Sequence, residues 1–326
     1  MNLSRPSFYL FCSSLILLSA CAPIGKKHTS ASQKGTLARV KEVSATPVTQ
    51  YSSPSADSYI DDNPNALLNM LDPDVTDIEI AFKKAEWEKS QGKKSRALFY
   101  YVKALQFNNK SIHALENIAM IHQQNGDGDK ALRIYQDILK IDNNNLRANE
   151  QLGLNYLKNR LKTEAKTYLT KVVEQNESYW KAHNGLGVIA DLNKQYDKAI
   201  EHYQAALTQN SSNSMLLNNM GYSYYLKADY SKARNYFNQA LSFDNNYQRA
   251  IYNLALIEIK NKQYSTAVNL FNRVMKPHES YNSVGYLCML DGEYEIADKY
   301  LRQAISESPT YFPKAEANLQ QLEDLL

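Results

Sequence analysis

Cysteine, glycine and proline are all scarce in these 326 residues, and so is any excess of one charge. The three cysteines, Cys12, Cys21 and Cys288, make no plausible disulfide pair, so stability has to come from packing. Eleven glycines and nine prolines leave long stretches in which helices can run uninterrupted. Lys and Arg number 37 against 34 Asp and Glu. Phosphate recognition needs a basic excess on one face, so this balance argues against a nucleic-acid partner. Catalytic constellations are missing too. The six histidines, His28, His113, His122, His183, His202 and His278, include no H-x-x-x-H pair, and there is no phosphate-cradling glycine loop or G-x-S-x-G elbow. Gly126-Asp127-Gly128-Asp129 hints at a calcium loop but lacks the downstream glutamate such a loop needs. His183 and Cys288 read as packed core residues. No metal, no cofactor and no enzymatic activity are therefore expected. What is abundant is tyrosine, 24 residues, which suits both recognition surfaces and amphipathic packing.

The N-terminus reads as an address. Met1 to Ser7 is polar with one positive charge, Arg5, and Phe8 to Ala20 is an apolar run. That run is too short to span a bilayer, which takes about 20 residues, and has the shape of a secretory signal. It ends in Leu18-Ser19-Ala20-Cys21, which resembles a bacterial lipobox. The expectation is a signal peptide over 1–20, cleavage, and acylation of Cys21; Cys12 would leave with the signal. Each buried acyl methylene contributes about 0.8 kcal/mol, so several chains anchor stably. Ala22 in place of aspartate implies the outer membrane if the source is Gram-negative, with the protein facing the periplasm. Residues 21–77 lack apolar periodicity and are rich in Ser, Thr, Pro, Lys and Asp, the composition of a disordered tether. As a coil it spans roughly 40 Å. Within it, Ala66-Leu67-Leu68-Asn69-Met70-Leu71 could form one amphipathic turn that docks on the first folded unit or on a partner.

From residue 78 the chain repeats itself. Alanine recurs every 34 residues at Ala97, Ala131, Ala165, Ala199, Ala233 and Ala267, and once more after 30 at Ala297. Four residues after each comes a large side chain: Tyr101, Tyr135, Leu169, Tyr203, Phe237, Phe271, Leu301. Seven after comes Ala104, Ile138, Val172, Ala206, Ala240, Val274, Ala304, and twelve before comes Ala85, Ala119, Gly153, Gly187, Gly221, Ala255, Gly285. Offsets of 0, +4 and +7 share one helix face. The small residue twelve earlier belongs on a preceding antiparallel helix, where it lets the two helices approach while the large side chain fills the notch. One such hairpin cannot bury its apolar face alone, so hairpins stack.

This pattern resembles the tetratricopeptide repeat. The resemblance implies an all-α, right-handed superhelical solenoid of seven hairpins, 78–111, 112–145, 146–179, 180–213, 214–247, 248–277 and 278–311. Pro277 should end the second helix of the sixth hairpin early. Residues 312–326, apolar at Ala317, Leu319, Leu322, Leu325 and Leu326, should form a covering helix. The resemblance further implies a concave protein-binding groove on the first helices. Its C-terminal part would offer Asn218, Asn219, Tyr222, Tyr225 and Leu226, then Tyr252, Asn253, Leu256 and Ile259, then Asn282, Tyr286, Met289 and Leu290. These tyrosines serve partner contacts or internal packing equally well. The earlier part is more polar, with His113, Glu116, Asn117, Arg147, Glu150, Lys181, Asn184 and Asp191. Arg147 and Lys181 hold the same repeat position and could grip a partner carboxylate.

The last repeat reads Val284-Gly285-Tyr286-Leu287, Leu290-Asp291-Gly292-Glu293-Tyr294, Ala297, Ser308-Pro309-Thr310-Tyr311 and Ala317-Asn318-Leu319. With the lipobox, it is similar to the TadD lipoproteins of tight-adherence (Flp) pilus systems. That likeness implies a membrane-anchored scaffold assisting assembly or localisation of a pilus or secretin complex. An adaptor for peptidoglycan hydrolases, or a type IVa pilotin-like protein, is the alternative.

Overall fold

The computed structural model describes residues 72–326. The expected signal segment 1–20, the acylation site Cys21, most of the tether and the apolar stretch 66–71 lie outside the described residues. The described chain contains only helices and their connections. It divides into two compact units, 72–175 and 176–326, which are taken in turn.

The first unit holds three hairpins: α1 (Ile78–Ser90) with α2 (Lys94–Phe107), α3 (Ile112–Asn125) with α4 (Gly128–Ile141), and α5 (Leu146–Lys158) with α6 (Lys162–Gln175). Helix starts are set by short polar side chains that satisfy otherwise unpaired N–H groups. Asp77 accepts from the Ile80 amide, Ser111 from Ala114 and Asn145 from Ala148. Residues 72–77, which the sequence assigns to the tether, lie against this unit. Asp72 accepts hydrogen bonds from Lys84 Nζ at 2.8 Å and from Tyr100 Oη at 2.6 Å, and Val75 packs on the core. Partners that neutralise and hydrogen-bond the Asp72 carboxylate tie this stretch down.

The second unit comprises α7 (Trp180–Leu192) with α8 (Tyr196–Gln209), α9 (Ser214–Leu226) with α10 (Tyr230–Phe243), α11 (Gln248–Lys260) with α12 (Tyr264–Phe271), α13 (Pro277–Asp291) with α14 (Tyr294–Ser306), and α15 (Pro313–Glu323). α12 is only 8 residues long, and Pro277 follows as the first residue of α13, where its missing N–H costs nothing. Val274, seven residues after Ala267, consequently falls outside the helix. α15 packs on α13 and α14, through Ala315, Leu319 and Leu322. Ala317, Leu325 and Leu326 face solvent, because the helix presents the 315/319/322 stripe instead.

The notches are physical. All seven periodic alanines and the seven large residues four positions on are fully buried. A Cβ added at Gly153, Gly187, Gly221 or Gly285 would sit 2.6–2.7 Å from Leu169, Tyr203, Phe237 or Leu301. No unstrained contact is that short, so glycine is required there for the two helices to meet at this distance.

A second periodic feature lies in the turns. Residues 92, 126, 160, 194, 228, 262 and 292 all have positive φ. In each turn the next amide reaches back five residues, as Asp229 N does to Tyr224 O at 2.9 Å and Gln263 N to Glu258 O at 2.8 Å. This left-handed closure suits glycine, yet Arg160, Lys194, Ala228 and Lys262 occupy four of the seven positions. A side chain there costs about 1–2 kcal/mol, partly offset because glycine is freer in the unfolded chain. Ala228→Gly should therefore stabilise the second unit by about 0.5–1 kcal/mol, read as a raised urea midpoint. A lowered midpoint would remove strain as the cost at this turn.

Candidate binding face

The first helices carry the residues that the repeat pattern assigns to a groove. In the second unit, asparagines at adjacent repeat positions meet across neighbouring helices. Asn219 Nδ2 donates to Asn184 Oδ1, and Asn253 Nδ2 donates to Asn218 Oδ1, each at 2.9 Å. Asn218 and Asn219 are linked at 3.5 Å, a weak contact by geometry. Asn318 Nδ2 donates to Asn282 Oδ1 at 2.8 Å, tying α15 to α13. Each amide has both a donor and an acceptor, so a row of them can pair along a stack. One group is left over: Asn253, 1% exposed, has a buried Oδ1 that no donor reaches. An unpaired buried acceptor costs about 1–3 kcal/mol.

Thus Asn184, Asn218, Asn219, Asn253 and Asn282 are buried and their amides largely satisfy one another. They do not line an open wall. Tyr222, 5% exposed, and Met289 are buried as well. Tyr225, Leu226, Tyr252, Leu256 and Tyr286 are half-buried, Ile259 is buried and Leu290 is exposed. Tyr222 and Tyr225 stack with centroids 6.0 Å apart, and Tyr252 meets Phe271 edge-on at 5.2 Å. Burial pushes the Tyr225 hydroxyl up to about 12.

In the first unit, Asn117 is buried, accepting from Lys89 Nζ and donating to the His113 carbonyl, both at 2.9 Å. Arg147 is exposed and lies 3.6 Å from Glu116; Glu150 is buried. Lys181, in the second unit, is exposed, its ammonium 5.6 Å from the Trp180 ring centroid. The proposed carboxylate grip therefore has its two cations in different units, each already engaged locally.

Two polar contacts were not expected. Asp191 accepts from both Ser223 Oγ at 2.9 Å and Tyr203 Oη at 3.0 Å, joining α7, α8 and α9. Burial raises its carboxyl to about 7 despite those hydrogen bonds. His183 and His202 bring their Nδ1 atoms to 3.2 Å, one donating and the other accepting. Burial lowers the His183 pKa. These two histidines are 19 residues apart on antiparallel helices, which no local motif reveals; asparagine recurring at 35-residue spacing was the visible trace of the amide row. Cys288 is buried, and desolvation pushes its thiol up to about 12. Among the described residues no group of three or more His, Cys, Asp or Glu is placed to hold a metal ion, and no helix is long and apolar enough to cross a membrane.

Stacked antiparallel hairpins with a small-to-large notch in each define a helical-repeat scaffold. Models of the tetratricopeptide repeat match residues 114–148, 150–214, 214–247 and 278–311, and the chain is a tetratricopeptide-repeat protein. No curated protein sequence matches it. A tetratricopeptide repeat protein from Parabacteroides merdae superimposes with a TM-score of 0.52 at 15% identity, over 76% of this chain and 98% of its own; that similarity is one of fold. YrrB, a repeat protein with an unusual peptide-binding site, has a TM-score of 0.46 at 21% identity over 57% of this chain and 96% of its own. PilF of Pseudomonas aeruginosa has 0.45 at 16% identity over 76% and 97%. Folds of this class are protein-interaction scaffolds.

Proposed function

We propose that this protein is a lipid-anchored scaffold of the bacterial envelope, acylated on Cys21, whose repeats hold a component of a pilus or secretin assembly. The lipobox-like Leu18-Ser19-Ala20-Cys21 supports the anchor, and similarity of the last repeat to the TadD lipoproteins supports the assembly role. The observation that carries protein binding is the row of partly accessible apolar and aromatic side chains on the first helices of the second unit: Tyr252, Leu256 and Tyr286 are half-buried and Leu290 is exposed. They supply adaptable contact area for a partner, above a buried amide row that holds the first helices together.

Two measurements test this reading separately. Labelled palmitate should enter the wild-type protein and not Cys21→Ser; equal labelling removes the anchor. Tyr252→Ala combined with Tyr286→Ala should cut co-purification of the secretin or pilus components from detergent-solubilised envelope by on the order of tenfold or more, with helicity unchanged. Undiminished capture, or copurifying murein hydrolases in place of those components, would overturn the assembly role. Tyr222 is unsuitable for this test, since its burial makes Tyr222→Ala a packing change.

A further inference from the structure

Consecutive antiparallel helices bring every turn that follows a first helix to the same end of a unit. In the first unit those turns, residues 88–96, 122–130 and 156–164, carry eight Lys and Arg against four Asp and Glu. One of the four, Glu88, is buried beneath Arg96, whose Nε lies 2.8 Å from its carboxylate. The matching turns of the second unit, 190–198, 224–232, 258–266 and 288–296, carry six cations against seven anions. Lysines there reach across to carboxylates of neighbouring turns, as Lys227 does to Asp197 and Lys262 to Glu293. The cationic excess therefore belongs to one end of one unit.

Two large apolar side chains stand among these cations. Trp87, in the last turn of α1, is 56% exposed. Its repeat position elsewhere holds Ile121, Ile189, Ser223, Ile257 and Leu287, all buried, and the half-buried Asn155. Leu161, on the turn before α6, is 44% exposed. Its position is Lys93, Asp127, Gln195, Asp229, Gln263 or Glu293 in the other hairpins, so an apolar residue there is particular to this turn. Lys93 Nζ stands 5.3 Å from the Trp87 ring centroid.

We infer that this end of the first unit docks on a membrane surface rich in anionic phospholipid headgroups. Each lysine or arginine near such a surface adds to the attraction. Tryptophan settles at headgroup level, its ring toward the acyl boundary and its N–H toward water. A leucine beside it adds apolar area that the same boundary covers. An acidic peptide would satisfy the cations without covering apolar side chains of both the first and the third hairpin, whereas a bilayer presents one continuous face to both. The contact rests neither on acylation of Cys21 nor on the partner proposed above.

The sequence has two tryptophans, so Trp180→Phe leaves Trp87 as the sole emitter and its fluorescence reports this end alone. The full chain with that substitution is reconstituted with vesicles of brominated phosphatidylcholine, with and without phosphatidylglycerol. An acyl anchor holds the chain to either vesicle alike, so only the position of the folded unit distinguishes them. With phosphatidylglycerol, Trp87 emission should shift to the blue and be quenched, and both effects should vanish at about 1 M salt, where the screening length is about 3 Å. Adding Lys94→Glu/Lys158→Glu/Lys162→Glu, all at exposed positions, should raise the anionic lipid concentration needed by on the order of a hundredfold, with helicity unchanged. Quenching that is absent, that is equal in the two vesicles, or that survives charge reversal overturns the proposal. So does a response to polyglutamate in place of the vesicles, which would mark a site for acidic protein.

Discussion

Phe237→Ala should lower the stability of the second unit by about 3–5 kcal/mol, the largest effect expected from a single truncation here. The ring is fully buried, and its Cε1 and Cδ1 atoms lie 2.7 and 2.8 Å from where a Cβ on Gly221 would stand. The ring thus fills the gap left by the absent side chain, and removing it leaves a cavity between α9 and α10 that the two backbones would have to collapse to close. The partner change runs the other way. Gly221→Ala gains about 1 kcal/mol of helix propensity but overpacks the notch, at a cost of about 1–3 kcal/mol. In the hairpins built on Ala85, Ala119 and Ala255, alanine already coexists with Tyr101, Tyr135 and Phe271, so a small widening accommodates it and the net loss should be modest. The combination Gly221→Ala/Phe237→Ala should recover part of the Phe237→Ala loss, because the new methyl enters the cavity. A double-mutant cycle from urea denaturation checks this. Losses that add to within about 0.5 kcal/mol would show that the two residues do not share a notch.

Asp191→Asn should raise stability at pH 8 by on the order of 3 kcal/mol and by little at pH 4. The folded carboxyl titrates at about 7, above its ordinary value of 3.8, because burial opposes its charge. The folded state therefore holds this proton more tightly than the unfolded chain does. The contribution of Asp191 is most favourable below pH 3.8, declines as pH rises and levels off above about 7. Asparagine keeps an oxygen for Ser223 and Tyr203 and carries no charge at any pH, so it escapes the decline. His183 works in the opposite sense. Its folded pKa is lowered by burial, so its contribution is present above the ordinary histidine value and is lost as pH falls. The difference between variant and wild type, taken from urea midpoints at pH 4 and pH 8, cancels that term. A difference independent of pH would mean that Asp191 is ionised in the folded protein throughout.

The hairpins were legible in the sequence because their determinants recur. A 34-residue spacing of alanine, with fixed offsets to a large and a small residue, states a packing rule seven times, and the shortened step to Ala297 located the truncated α12. The inner face was harder to read. Repeat positions identified which side chains point inward, but not how closely successive first helices approach. That distance decides whether Asn218 and Asn253 pair with each other or wait for a ligand. Tyr203 holds the periodic large position, but Asp191, Ser223, His183 and His202 are residue types that do not recur at their repeat positions, so nothing periodic announces the contacts they make. The turn geometry was hidden for a different reason. Only Gly92, Gly126 and Gly292 advertise a left-handed residue, and four other side chains adopt the same conformation because the hairpin closes only that way.

Within each unit the helices pack chiefly on those next to them in the chain, and α15 lies over α13 and α14. Few contacts span long stretches of sequence, so closing the fold needs little loop entropy, and assembly can begin at any hairpin and spread. The same economy governs failure under load: a pull on either end of such a unit loosens the terminal hairpin first and leaves its interior standing. Resistance to unravelling is then set by whatever clamps the outermost element. At the C-terminal end that clamp is three buried side chains of α15, a hydrogen bond from Asn318 to Asn282 and an exposed ion pair between Glu323 and Arg302.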